Sequence, residues 1–262
     1  MTTLHTFGCS FTYGLISKPD DFVGRTGERN RCEPWGNILA NHLNIPHRNY
    51  AQPGSGNKQI ACSVRKSMAK SGDIAIIAWS GPLRPFTWNN DREQYETWTA
   101  NYGDLRIPAF ETWDAIAGSN FPWQQILYEH ETAIRATANY LSGRNIKFLM
   151  TSALMDYKQM DALEPQTKQD YLSWNWIEWD MFNNSLFDIC TNTWLTGLCQ
   201  GYSHENMFHE QHTIERNRPG IMDNDLLAEC FHPSQTGHEK IAETLLPYLQ
   251  DLLESPSNTQ DQ

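Results

Sequence analysis

Short apolar runs alternate with segments of helical spacing along this chain, and the two patterns together predict its architecture. Strands are predicted at residues 3–8, 47–51, 73–79 and 146–150, and the segment 73–79 is a continuous apolar run after its first residue. Apolar residues recur at helical spacing in segments 34–43, 60–68, 122–142 and 235–253, with Ser234 as the predicted N-cap of the last helix. Strands that alternate with helices predict a parallel sheet covered by helices on both faces.

Two long segments interrupt this alternation. Residues 85–120 lack sustained periodicity, and residues 152–228 are partly helical around 170–190. We interpret both as insertions into a single domain over residues 1–255, followed by a polar, disordered tail at 256–262. Eight of the ten tryptophans lie within or next to these segments. They favour small local cores over a groove for a sugar or an acyl chain, because tryptophan buries a large area wherever it packs.

A serine and a histidine near opposite ends of the chain form a candidate catalytic pair. Residues 8–14 read Gly-Cys-Ser-Phe-Thr-Tyr-Gly, which places Ser10 in a glycine turn just past the first strand. Residues 229–234 read Glu-Cys-Phe-His-Pro-Ser. A serine needs a base to attack a carbonyl at neutral pH, and the base needs an orienting group. We predict Ser10 as nucleophile, His232 as base and Glu229 as the orienting acid. Asp223 and Asp225 are the alternatives for the acid.

These motifs resemble the SGNH/GDSL hydrolases, which are esterases and acylhydrolases on a flavodoxin-like three-layer α/β/α sandwich. Residues 8–14 match the family's first block, with Cys9 where Asp is commoner, and residues 229–238 match its last block, with Glu229 in place of Asp. Residues 49–54, Asn-Tyr-Ala-Gln-Pro-Gly, match the second block, whereas residues 78–84 lack the Asn of the third. The resemblance implies an α/β fold with a central parallel sheet of about five strands and two insertions.

An oxyanion hole needs hydrogen-bond donors aimed at the oxygen that gains charge in the transition state. The backbone N–H groups of Ser10 and Gly54, both at strand-to-helix turns, are the first two candidates. We favour Asn57 as the side-chain donor, and the alternative is that it caps the following helix. Ser80 and Arg84 occupy the position of the unmatched third block and are expected to bind substrate. For Arg84 the alternative is pairing with a local carboxylate.

The composition limits the classes of binding partner and the cellular compartment that we expect. The formal net charge of −11 disfavours a nucleic-acid partner and an anionic membrane surface. The sequence contains no apolar run of about 18 residues, so no membrane span is expected. No signal peptide is visible, and the six scattered cysteines are typical of reduced thiols. These features predict a cytoplasmic protein, and they give no indication of its oligomeric state.

Histidines in the second long segment invite a metal site, but their spacing argues against it. His204, His209 and His212 do not follow the His-Glu-x-x-His pattern that places two ligands on one helix face. We therefore expect neither a metal nor any other cofactor.

The combined prediction is hydrolysis of an ester or O-acyl bond on a small or glycan-like substrate through an acyl-enzyme at Ser10. One alternative is an O-acyltransferase, in which an acceptor hydroxyl replaces water at the same acyl-enzyme. The other is a catalytically inactive binding module on this fold. It is favoured by the missing Asn of the third block and by Glu229 in the place of Asp.

Overall fold

The computed structural model describes residues 2–14, 32–80, 86–89, 94–97, 123–153, 186–191, 225–226 and 232–254. The strands in these residues are β1 (Leu4–Phe7), β2 (His47–Asn49), β3 (Ile74–Trp79), β4 (Phe86–Asn89), β5 (Gln94–Thr97) and β6 (Lys147–Ser152). The helices are α1 (Ser10–Tyr13), α2 (Trp35–Leu43), α3 (Asn57–Lys66), α4 (Trp123–Gly143), α5 (Leu186–Thr191) and α6 (Gln235–Glu254). No helix in the described ranges is both long and apolar enough to cross a lipid bilayer.

Four parallel strands form the central sheet in the order β2-β1-β3-β6. Leu4 of β1 lies opposite His47 of β2 on one side and Ile74 of β3 on the other, and Ile74 lies opposite Lys147 of β6. The chain therefore adds strands first on one side of β1 and then on the other. Sheets of this kind bind ligands at the carboxyl ends of the strands, next to that reversal. The residues that follow β1, β2 and β3 meet there.

Both faces of the sheet are covered by helices. In β3 the even-numbered residues from 74 to 78 belong to one buried cluster, which also includes side chains of α2, α5 and α6. The odd-numbered residues from 75 to 79 belong to the other, which includes side chains of α3 and α4. Because successive side chains of a strand point to opposite faces, a run that is apolar throughout can serve two cores at once. The result is a three-layer α/β/α arrangement.

The predicted fold class is confirmed. Each of the four predicted strands has a counterpart in the sheet, and the helices predicted at 34–43, 60–68, 122–142 and 235–253 correspond to α2, α3, α4 and α6. The fifth strand that the resemblance implied, the domain limits at 1–255 and the tail at 256–262 stay predictions.

The predicted insertions contain some regular structure. Strands β4 and β5 pair antiparallel, with Phe86 opposite Thr97, inside the segment where no element was predicted. These strands have neither the continuous apolar run of β3 nor a glycine turn like the one that follows β1, so the sequence did not indicate them. In the second insertion, α5 lies at the end of the stretch predicted to be helical around 170–190.

The start of α6 follows the prediction and fixes the residues before it. Ser234 Oγ accepts a hydrogen bond from the Gly237 N–H at 3.1 Å, as expected of an N-cap. The Ser234 hydroxyl also donates to the Asp225 carbonyl, and the Ser234 N–H donates to the Leu226 carbonyl at 2.9 Å. A Cβ on Gly237 would collide with the Leu226 oxygen, so this close approach requires glycine. His232 stands directly before this fixed helix start.

Candidate active site

Ser10 lies at the carboxyl end of β1, inside a tight turn. Gly8 leaves the strand, Cys9 is the N-cap of α1, and Ser10 is the first residue of that one-turn helix. A Cβ on Gly8 would collide with Thr12 Oγ1 and would lie 3.1 Å from the Ala78 carbonyl oxygen of β3. Glycine at position 8 therefore lets α1 fold back over the strand end. The Ser10 side chain is held in a nearly buried position, with 4% of its residue surface exposed.

The segment that follows β2 is bonded to this turn. The Gln52 N–H donates to the Gly8 carbonyl at 3.1 Å. Asn49 Nδ2 donates to the Thr12 carbonyl at 3.0 Å, and Asn49 Oδ1 accepts the Ala51 N–H at 2.9 Å. Asn49 and the glycine turn that ends at Gly54, where φ is 81°, therefore stand beside α1. The matched first and second blocks form one connected structure.

Asn57 connects the same region to the end of β3. Its Oδ1 accepts the Ser80 N–H at 2.8 Å, and both residues are fully buried. The alternative that Asn57 caps α3 is wrong, because Gly56 is the N-cap and Asn57 is the first helical residue. A primary amide carries its acceptor oxygen and its two N–H donors on opposite sides. With the oxygen directed at Ser80, the orientation of Nδ2 is fixed as well.

Ser80 presents a buried hydroxyl at this edge. It follows β3 directly and is fully buried. Its Oγ has no hydrogen-bond partner among the described residues. A buried hydroxyl left unpaired costs about 1–3 kcal/mol.

His232 reaches the same edge from the other end of the chain. Its ring packs against the ring of Phe11, with centroids 5.5 Å apart and planes inclined by 42°. Phe11 is the residue after Ser10, so the predicted base stands beside the helix turn that carries the predicted nucleophile. Glu229 and Arg84 lie outside the described residues, as does Asp223, and their roles stay predictions. Asp225, the remaining candidate acid, is exposed in the turn before α6.

Two residues at this site had no predicted role, Trp35 and His238. The Trp35 N–H donates to His238 Nδ1 at 3.3 Å, and the Trp35 indole N–H donates to the Phe11 carbonyl at 3.2 Å. Burial, with a smaller contribution from nearby His232, lowers the pKa of His238 to about 4. His238 is therefore neutral at pH 7, with Nδ1 accepting and the proton on Nε2. The Gly-His pair at 237–238 was the available sequence signal, as part of the last block.

The sequence matches no protein-family model and no curated protein. Among solved structures, the chain is similar to the YxiM protein of Bacillus subtilis, at 11% identity and a TM-score of 0.44 over 97% of this chain and 57% of that one. It is also similar to the acetyl xylan esterase Est2A of Butyrivibrio proteoclasticus, at 12% identity and a TM-score of 0.45 over 96% of this chain and 64% of that one. A third is a catalytic mutant of Axe2, an acetylxylan esterase of Geobacillus stearothermophilus, at 12% identity and a TM-score of 0.45 over 95% of this chain and 94% of that one. The chain thus spans less than two thirds of the length of the first two.

Proposed function

We propose that this protein is a serine hydrolase that cleaves an ester or O-acyl bond, with Ser10 as nucleophile and His232 as general base. One contact supports the proposal most directly, the packing of the Phe11 ring on the His232 ring at 5.5 Å. It brings the first and last motifs of the sequence together at the carboxyl ends of the strands. In folds of this type, that edge is where ligands bind.

The proposed reaction has two steps. His232 accepts the Ser10 hydroxyl proton while Oγ attacks the ester carbonyl, and the tetrahedral intermediate then expels the alcohol, which takes the proton from His232. Water next attacks the acyl-enzyme, with His232 as base again, and releases the acid and free Ser10. Glu229 orients His232 and stabilises the imidazolium in both steps.

The proposed oxyanion hole uses donors from three connected segments. Ser10 and Gly54 contribute backbone N–H groups, and Asn57 contributes Nδ2. The hydrogen bond from the Ser80 N–H to Asn57 Oδ1 supports this role, because it orients the amide before any substrate binds. Donors that are already oriented need no reorganisation when charge develops on the oxygen.

Ser80 and Arg84 are proposed to bind the alcohol portion of a small or glycan-like ester. The position of Ser80 supports this assignment, since it follows β3 at the edge that carries Ser10 and its N–H is bonded to Asn57. Arg84 follows it by four positions.

Labelling with a fluorophosphonate tests the proposal, because the probe reacts with a serine that is activated by a base. We expect labelling of the wild-type protein on Ser10 and hydrolysis of p-nitrophenyl acetate. Ser10→Ala and His232→Ala should each lower turnover by at least about 10³-fold. Ser71→Ala is the matched control, because Ser71 is exposed in the turn before β3, and it should be labelled like the wild type. A folded wild-type protein that is neither labelled nor active would overturn the proposal.

A further inference from the structure

Residues 32–35, here called the bridging segment, lie between the nucleophile turn and the start of α6. Their sequence is Cys-Glu-Pro-Trp, and they lead directly into α2. Neither the catalytic motifs nor the family resemblance assigned them a role. Their hydrogen bonds nevertheless reach both of the segments that carry the proposed catalytic pair.

The bridging segment is bonded first to the turn that contains Ser10. The Trp35 indole N–H donates to the carbonyl of Phe11, the residue after Ser10, at 3.2 Å. The Cys32 N–H donates at 3.1 Å to the carbonyl of Gly14, which ends α1. Both ends of the short helix that begins at Ser10 are therefore held by residues 32–35.

The same segment is bonded to the residues that follow His232. The Trp35 backbone N–H donates to His238 Nδ1 at 3.3 Å, although the two residues are 203 positions apart. The Cys32 thiol lies 3.7 Å from the carbonyl of Pro233, within reach of a weak hydrogen bond. The Glu33 N–H donates to Gln235 Oε1 at 2.9 Å. The start of α6 is thus held at three points.

Trp35 is the residue that donates an N–H group to each side. It is fully buried, as is His238, and Phe11 is nearly so. Losing either bond removes the contact by which Trp35 holds the Phe11 carbonyl or His238 Nδ1, and the segments that carry these groups can then shift. A shift of about 1 Å between reacting groups can lower a rate by about 10²-fold.

We propose that Trp35 is a positioning residue for the hydrolase activity proposed above. Its two N–H groups fix the separation between Ser10 and His232 by holding the segment that carries each. This inference rests on the proposed function and adds to it a residue that need not touch the substrate.

The main test is Trp35→Phe, which keeps an aromatic ring and removes the indole N–H. We expect kcat for p-nitrophenyl acetate and the rate constant of fluorophosphonate inactivation to fall about tenfold or more. KM should change by less than about twofold, since the residue is not proposed to contact substrate. Measurements are made where the variant is folded, as judged by circular dichroism.

Thr137→Val is the matched control for a merely structural effect. Thr137 is a buried residue of α4 on the other face of the sheet, and its hydroxyl donates to the Ala133 carbonyl at 2.8 Å. The substitution also removes one buried bond from a side chain to a backbone carbonyl. It should lower the melting temperature while both rate constants stay within about twofold of the wild type.

Two substitutions of His238 test the other half of the bridge. In His238→Asn the amide oxygen lies near the position of Nδ1 and can accept the Trp35 N–H, whereas His238→Leu has no acceptor. For His238→Asn we expect a rate constant of fluorophosphonate inactivation within about threefold of the wild-type value. For His238→Leu we expect that rate constant to fall about tenfold or more. If Trp35→Phe does not fold, the comparison of these two His238 variants tests the positioning role of Trp35 instead.

The outcomes separate this inference from the function on which it rests. A wild-type protein that is not labelled on Ser10 would overturn both. A labelled wild type together with a folded Trp35→Phe variant that reacts at the wild-type rate would overturn the positioning role alone. Equal rates for the Asn and Leu variants of His238 would do the same.

Discussion

The amide oxygen and the amide nitrogen of Asn57 are proposed to make different contacts at this site. Its oxygen holds the Ser80 N–H at the exit of β3, and its nitrogen is the proposed donor to the oxyanion. An alanine would remove both, so loss of activity in that variant would not separate structure from catalysis. The acid of the same shape does separate them.

Asn57→Asp retains an oxygen that can accept the Ser80 N–H and replaces the donor nitrogen with a second oxygen. We expect turnover to fall by about 10²–10³-fold, because an oxyanion loses one donor. Asn57→Asp should also lower the melting temperature, because a carboxylate at this fully buried position loses its hydration, so turnover is compared at temperatures where each variant is folded. Asn57→Ala is the comparison in which the Ser80 N–H has lost its acceptor. Steady-state kinetics and thermal unfolding of both variants provide the measurement. Wild-type turnover in the Asp variant would show that Asn57 is not an oxyanion donor and contributes only its hydrogen bond with the Ser80 N–H.

At the scale of elements, the exit from β1 depends on how closely α1 folds back over it. Gly8 permits that approach, since its missing Cβ leaves the space that Thr12 occupies. The helix has a single turn, and its start and end are set by Cys9 and by Gly14 with φ of 82°. A change at Gly8 should therefore displace the whole turn, including Ser10.

Gly8→Ala should destabilise the fold by about 1–3 kcal/mol, as is typical of overpacking, and should slow fluorophosphonate labelling of Ser10. Adding Thr12→Ala removes the hydroxyl that the new methyl group meets, so part of both losses should return. Gly143→Ala is the control, since a Cβ there has no neighbour within 4 Å. Urea unfolding gives the stabilities. Additive effects of the Gly8 and Thr12 substitutions would refute the proposed collision.

The elements also differ in how well the sequence alone predicts them. β3 was predictable because its unbroken apolar run serves two cores, and the start of α6 because Ser234 is a standard N-cap. The pair β4 and β5 was not, because it has neither such a run nor the glycine turn that follows the equally short β1. The contact between Trp35 and His238 could not be predicted either. Their bond joins a backbone N–H to a ring nitrogen 203 positions away, and no local pattern encodes such a contact.

At the scale of the whole molecule, the two ends of the sheet carry different groups of polar residues. The carboxyl ends of the strands carry the proposed active site, and the opposite end carries a buried polar cluster around Asp73. That carboxylate accepts the Thr3 N–H at 3.0 Å and the Lys70 N–H at 3.1 Å, and it lies 3.1 Å from His5 Nε2. Burial opposes its ionisation, but these hydrogen bonds outweigh burial and lower the pKa of Asp73. The charged form therefore joins β1 to the start of β3.

Asp73→Asn should lower stability without lowering the activity of the folded protein. An amide nitrogen cannot accept the bonds that Asp73 Oδ2 takes from the Lys70 N–H and from His5. The buried His5 ring therefore loses its acceptor, at about 1–3 kcal/mol, and the part-buried Lys70 N–H loses its own at a smaller cost. The six residues of β3 separate this cluster from Ser80 by about 20 Å at about 3.3 Å per residue, too far to displace the catalytic groups directly. Urea unfolding should show a lower midpoint with an unchanged slope, while kcat and labelling of Ser10 stay within about twofold of the wild type under conditions where the variant is folded. A fall in kcat of tenfold or more in the folded variant would mean that the two ends of the sheet are coupled.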